Sequence, residues 1–313
     1  MKITGLSLLL FAVGSEGLSS SSSSDYSSRR DFLDTTASSS LSLIAGATSP
    51  FWIPPNSVDA ATSSPRATAS TLQLPPIGLG CWAWGDSLFW GYNPKEDSDL
   101  EQAFNYAVSR SDPGPVLFDT AELYGLGRSE TLLGEFINKN EQAKDRAIIA
   151  TKFAALPFRT KPESVVKACE GSLKRLGRPI DLYQIHFPNA FANEQYWDGL
   201  AMAYEKGLVK HVGVSNYGVD AVRACHAALA KRGIPLATNQ IQHSLLYKFP
   251  EENGLLQACQ DLGVSVLSYS PLALGLLTGM YLVCMYACMC MHCHRYYVRT
   301  KSGYIYCLIT FCG

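Results

Sequence analysis

The chain has 313 residues, 47% of them hydrophobic, and a formal net charge of −1. That length holds one large domain or two small ones. The near-neutral balance gives nucleic acid nothing to bind, and the apolar runs fall short of the roughly 18–20 residues of a spanning helix, so no stable membrane span is expected in the mature chain.

Residues 1–70 are rich in Ser, Thr and Ala, carry few charges and read as a disordered targeting leader. Met1-Lys2 precedes a short apolar run at 6–13, the layout of a signal peptide. A serine tract at 19–28 leads into Ser28-Arg29-Arg30-Asp31-Phe32-Leu33, a twin-arginine pattern. A weakly apolar segment at 41–47 and a small-residue cleavage pattern at Val58-Asp59-Ala60 follow. The leader resembles the multi-part leaders of plastid proteins, the last part directing a chain that starts near Ala61 to the thylakoid by the twin-arginine route. Secretion through a single signal peptide is the competing address. A serine-rich leader with a chance Arg-Arg pair is the plain alternative.

From residue 75 the composition becomes that of a globular domain. A first strand ends near Gly78-Leu79-Gly80-Cys81, and a helical pattern covers 97–109. Strand 116–119 is followed by helix 129–138, strand 147–151 by helix 162–176, and strand 180–186 by helix 193–205. Strand 209–214 is followed by helix 219–231, strand 236–240 by helix 251–262, and strand 264–269 ends the series. Pro162 suits a first helical turn. Gly177, Gly207, Gly233 and Gly263 each stand where a helix stops. Continuous apolar strands alternating with amphipathic helices predict a (β/α)8 TIM barrel of parallel strands. A doubly wound sheet fits less well, because Trp82 stands where a phosphate loop would need close backbone approach.

Polar groups stand at the C-terminal ends of several of these strands, where such a barrel builds its active site. Asp119 and Tyr124 follow the second strand, Lys152 the third and His186 the fourth. Taken singly, each has an ordinary structural use as a turn former, packing residue or solvated charge. Together they can perform proton transfer. A free tyrosine has a pKa of about 10, and a neighbouring ammonium lowers it. Asp119 would hold Lys152, Tyr124 would protonate a carbonyl oxygen as general acid, and His186 would orient the substrate. A carbonyl so polarised accepts hydride, which no side chain supplies, so a nicotinamide cofactor is implied.

The region 71–281 resembles the aldo-keto reductase superfamily, with likeness to plant and algal plastid members. The residues that carry the resemblance are Gly78-Leu79-Gly80-Cys81-Trp82, Asp119 to Gly125, Ala150-Thr151-Lys152, Gln184-Ile185-His186, Gly213-Val214-Ser215-Asn216, Asn239-Gln240 and Tyr269-Ser270-Pro271-Leu272. The resemblance implies Asp119, Tyr124, Lys152 and His186 as the catalytic tetrad. It implies Ser215, Asn216, Gln240, Tyr269, Ser270, Leu272, Gly80 and Cys81 as contacts for NADPH, and a small carbonyl compound as substrate. Trp82 and Trp84 would wall the substrate pocket, or serve as core aromatics. A non-catalytic, cofactor-binding regulatory barrel is a second function class with the same residues.

Residues 282–313 depart from this pattern. They hold six of the ten cysteines, with Met interspersed, and show no recognisable eighth strand or closing helices. The barrel is therefore expected to be incomplete at its C-terminus, with strands 1 and 7 left as open edges, poor folding and weak cofactor binding. The Cys/Met run lacks the paired-knuckle spacing of a zinc site, and no metal is expected. Its codon character, with Val283-Cys284 able to read as an intron boundary, points to an aberrant tail read through from an unspliced intron from about residue 282; a non-functional truncated product is a third alternative for the chain.

Overall fold

The computed structural model describes residues 72–110, 114–278, 299–300 and 303–310. The leader 1–70, with its targeting patterns, and the Cys/Met-rich segment up to 298 lie outside the described residues. No helix among those described is long and apolar enough to cross a membrane.

Seven strands, β1 (Ile77–Gly80), β2 (Val116–Asp119), β3 (Ala147–Phe153), β4 (Ile180–Ile185), β5 (Val209–Ser215), β6 (Leu236–Gln242) and β7 (Ser265–Tyr269), pair in chain order. Every adjacent pair is parallel. Every residue of β2 and β4 is buried, as continuous apolar runs between two packed layers require. The helices are α1 (Asp97–Arg110), α2 (Arg128–Lys139), α3 (Glu141–Arg146), α4 (Pro162–Leu176), α5 (Asn193–Glu205), α6 (Val219–Ala230), α7 (Phe249–Glu252) and α8 (Leu255–Asp261). Helix α4 begins on Pro162, and Gly177 ends it with φ 65° and an N–H bond to Leu173 O. The helix expected over 251–262 is two pieces, because Gly254 takes φ 80° between them. The short α3, absent from the sequence reading, is capped by Asn140, whose side chain accepts from the Ala143 N–H at 3.2 Å.

The core has two layers. A large one lies between strands and helices and includes Phe104, Phe118, Phe136, Val165, Tyr183 and Leu200. A small one fills the barrel interior with Leu117, Ala150, Leu182 and Leu267. Since alternate strand residues share a face, Asp119, Lys152, Gln184 and Tyr269 stand two positions beyond these four on the same inward side. An apolar plug thus supports a polar layer at the C-terminal mouth.

The edges of β1 and β7 are not open. A further strand, β9 (Gly303–Thr310), pairs in parallel with both, with Leu308 opposite Gly78 and Tyr269. A two-residue strand, β8 (Arg299–Thr300), turns onto it antiparallel. The Cys/Met-rich composition of 282–313 as a whole hides a run of aromatic and branched residues, Gly-Tyr-Ile-Tyr-Cys-Leu-Ile-Thr, that suits a strand. The poor folding expected from two exposed edges loses its premise at this position.

Candidate active site

The chain end of β2 sets the first elements of the site. Asp119 is its last residue, and the chain then turns through Ala121, whose carbonyl accepts from Tyr124 N at 3.0 Å. The turn continues left-handed through Gly125, Leu126 and Gly127, at φ 54°, 53° and 92°. A Cβ on Gly125 would collide with the Gly85 carbonyl, so the loop after β1 presses directly on the tyrosine turn. Non-glycine residues with positive φ recur on this face, at Asn216 after β5 and at Ser270, Ala273 and Leu274 after β7.

Lys152 is fully buried and uses its three protons inside the site. Nζ donates to Asp119 Oδ2 at 2.6 Å and to Thr120 O at 2.9 Å, and stands 3.4 Å from the Tyr124 hydroxyl. The second Asp119 oxygen, Oδ1, accepts from Gln240 Nε2 at 2.8 Å, which ties β2 to β6 across the barrel. Burial pulls the Lys152 pKa down, but Asp119 and then Tyr124 oppose it strongly enough that the net shift is upward. The ammonium is therefore held charged.

Tyr124 corrects the expectation of a lowered phenol pKa. Lys152 does pull it down, but desolvation is larger and Asp119 adds to it, so the net shift is upward. The phenol is held protonated. His186 lies edge-on to the Tyr124 ring, with centroids 5.6 Å apart, and its backbone N–H is held by Phe153 O at 3.0 Å. Burial first, and then the Lys152 charge, push its pKa well below the usual value, so the imidazole is neutral. Its Nδ1 is buried without a hydrogen-bond partner, which leaves Nε2 as the nitrogen able to meet a ligand.

Ser215, Asn216, Gln240 and Tyr269 converge beside this cluster. Ser215 Oγ donates to Gln240 O at 2.8 Å, Asn216 Nδ2 donates to His186 O and Ser215 Oγ, and Tyr269 OH donates to Asn216 Oδ1 at 3.0 Å. Amide, hydroxyl and aromatic groups are thus brought to one place, hydrogen-bonded among themselves. The Tyr269 phenol is pushed up to about 12, by burial first and then by Tyr124 and Tyr247. Ser270 and Leu272 lie in the loop that follows. Gly80 ends β1, and Cys81 beyond it is fully buried, its N–H bonded to Asp119 O at 2.8 Å. Burial holds the Cys81 thiol well above its ordinary pKa, with Asp119 adding to it.

Trp82 and Trp84 part company. Trp82 stacks against Tyr124 at 6.1 Å and against Phe89 at 4.9 Å, with Trp90 edge-on at 5.3 Å. Trp84 is buried against Phe118 and Phe136, on the helix side of β2, as a core aromatic. Phe89 and Trp90, which no sequence motif singles out, complete the aromatic cluster. Their signal was the density of aromatics between 82 and 90.

A parallel barrel whose C-terminal mouth carries a buried Asp–Lys pair, a protonated tyrosine and a neutral histidine has the architecture of the barrel enzymes. The chain belongs to the Aldo/keto reductase family, whose family model matches residues 76–284. It is 45% identical over 222 residues to the chloroplastic pyridoxal reductase of Arabidopsis thaliana, covering 67% of this chain and 60% of that protein. It is 33% identical over 212 residues to the aldo-keto reductase YhdN of Bacillus subtilis, covering 65% and 60%. The chain thus spans about three fifths of the length of these relatives. Among solved structures it is similar to a thermostable aldo-keto reductase in complex with the inhibitor epalrestat, with TM-score 0.56 and 30% identity over 64% of this chain and 70% of that one. A Klebsiella pneumoniae aldo-keto reductase in complex with NADPH gives TM-score 0.55 and 26% identity over 64% and 66%.

Proposed function

We propose that the chain is an NADPH-dependent oxidoreductase that reduces an aldehyde or ketone to an alcohol. The observation that carries this is the Tyr124 hydroxyl, 3.4 Å from the Nζ of Lys152, which is buried and paired with Asp119 at 2.6 Å. Bound NADPH would supply hydride to the carbonyl carbon. Tyr124 donates its proton to the carbonyl oxygen as charge builds there. Lys152 stabilises the phenolate left behind, and Asp119 keeps Lys152 charged and aimed. Neutral His186 donates from Nε2 to the same oxygen and fixes the substrate's orientation. Ser215, Asn216 and Gln240 would hold the nicotinamide carboxamide, Tyr269 would stack on the ring, and Ser270 and Leu272 would lie along the pyrophosphate.

The stack of Trp82 on Tyr124 and Phe89 favours a flat, ring-bearing carbonyl compound. Since a 45% identical relative is a pyridoxal reductase, pyridoxal is the first substrate to assay. That relative is chloroplastic, which together with the leader supports a plastid address. The test is Tyr124→Phe in the full chain. Pyridoxal-dependent oxidation of NADPH, followed by its ultraviolet absorbance, should fall by about 10²–10⁴ while NADPH still binds. Undiminished turnover in that variant would remove the acid role. Tight cofactor binding with no turnover of any carbonyl by the unaltered chain would favour the regulatory barrel.

A further inference from the structure

The Asp119–Lys152 ion pair accounts for the position of the lysine, but the phenol that must meet it hangs on a turn. We propose that Glu122 and Arg159 act as a clamp that fixes Tyr124 against Lys152. For its effect on turnover, this inference rests on the reductase reading above.

Glu122 lies two residues before Tyr124. Its N–H donates to Lys152 O at 3.3 Å, and its Oε1 accepts from Ala154 N at 2.6 Å, so the backbone on either side of Phe153, directly after Lys152, is tied to one residue. Arg159, from the loop after β3, donates to the same carboxylate through Nη1 at 2.7 Å and Nη2 at 3.3 Å. Arg159 is itself fixed: Nη1 also donates to Ala154 O at 3.3 Å, and the guanidinium lies 4.3 Å from the centre of the Phe153 ring. The two side chains are only 20% and 13% exposed, so the forked pair is shielded from the water that weakens surface bridges.

The contact this clamp governs is easily lost. At 3.4 Å the Tyr124–Lys152 approach is already at the long end of hydrogen bonding. A small drift of the turn would separate the groups. The alternative is that Glu122 and Arg159 merely brace a loop. The groups that face Tyr124 from the packed elements are Lys152, Asp119, Cys81, His186 and Tyr269, and the clamp acts through the turn rather than by adding a charge to this set.

The experiment uses the full chain with Arg159→Met, Arg159→Lys and Glu122→Gln. Three quantities are measured: kcat for pyridoxal, NADPH affinity by fluorescence, and the titration of the Tyr124 phenol by carbon NMR of ring-labelled tyrosine, assigned with Tyr124→Phe. A misplacement of about 1 Å costs up to roughly 10²-fold in rate, so Arg159→Met is expected to lower kcat by about 10- to 100-fold with NADPH affinity unchanged. The Tyr124 titration should move down toward its ordinary range as water reaches the ring, and Arg159→Lys should recover part of both effects. Unchanged kcat and titration would overturn the clamp, as would parallel loss of NADPH affinity in all three variants. If the unaltered chain reduces no carbonyl, the reductase reading fails and the NMR titration alone decides: a shift supports the clamp, no shift overturns it.

Discussion

Lys152→Met is the sharpest perturbation the structure offers. It removes the cation from a pair with side chains 0% and 4% exposed and leaves Asp119 with Gln240 as its remaining side-chain donor. Breaking a buried ion pair on one side costs about 3–5 kcal/mol, because the other charge stays buried and uncompensated. At about 2–4 °C per kcal/mol for a domain of this size, the melting temperature should fall by roughly 6–20 °C. The double variant Asp119→Asn with Lys152→Met has no stranded charge and should regain most of that loss, since replacing both partners is often near neutral. The assay is urea unfolding of the single variants, the double variant and the unaltered chain, read as a double-mutant cycle. The pH dependence has a definite sign. The folded Lys152 pKa is raised, so its stabilisation is complete below the unfolded value of about 10.4 and is lost as pH rises through the folded value. The alkaline fall in stability should therefore shrink in Lys152→Met. A single variant within about 1 kcal/mol of the unaltered chain, or a double variant as unstable as the single, would mean that the buried pair does not govern stability here.

Two further outcomes are expected. His186 is held neutral, so its ring proton NMR signal should not titrate near the ordinary value of about 6.5, and its depressed folded pKa should cost stability as pH falls below that value; a titration centred there would place the ring in water. Gly134→Ala should destabilise the fold by about 1–2 kcal/mol despite alanine's better helix propensity, because its Cβ would sit 2.5 Å from Leu176 O and 2.9 Å from Arg175 O at the end of α4. A raised melting temperature would mean that α2 and α4 part cheaply.

The barrel was legible because its punctuation is local. Pro162 and Gly177 mark the ends of α4 within the sequence itself, and the apolar run 116–119 is β2 residue for residue. The grouping of Asp119, Tyr124, Lys152 and His186 followed from their places at strand ends, which the parallel sheet brings to one mouth. Burial is not written in spacing. The net direction of the Tyr124 shift depends on how much water the phenol loses, and only packing decides that. Trp82 and Trp84 are two residues apart in a loop of no fixed period, so nothing in the sequence told the wall from the core. Arg159 lies in a loop with no pattern at all, and its meeting with Glu122 spans 37 residues of chain.

The positive-φ residues divide the two ends of the barrel by temperament. Leu126, Asn216, Ser270, Ala273 and Leu274, the described non-glycine residues with φ above zero, all leave the C-terminal ends of strands. The turns that lead from helix into strand use Gly177, Gly207, Gly233 and Gly263 for the same left-handed step, at no steric cost. Each strained residue costs on the order of 1–3 kcal/mol. One end of the molecule rests in its preferred backbone shapes while the other is kept under tension, like a bow strung across the mouth. Glycine at those tense positions would ease the protein toward greater stability and, by the same step, free the loops to wander from the reacting groups. Stability and the ordering of these loops therefore meet at one rim, and a gain in the one is taken from the other.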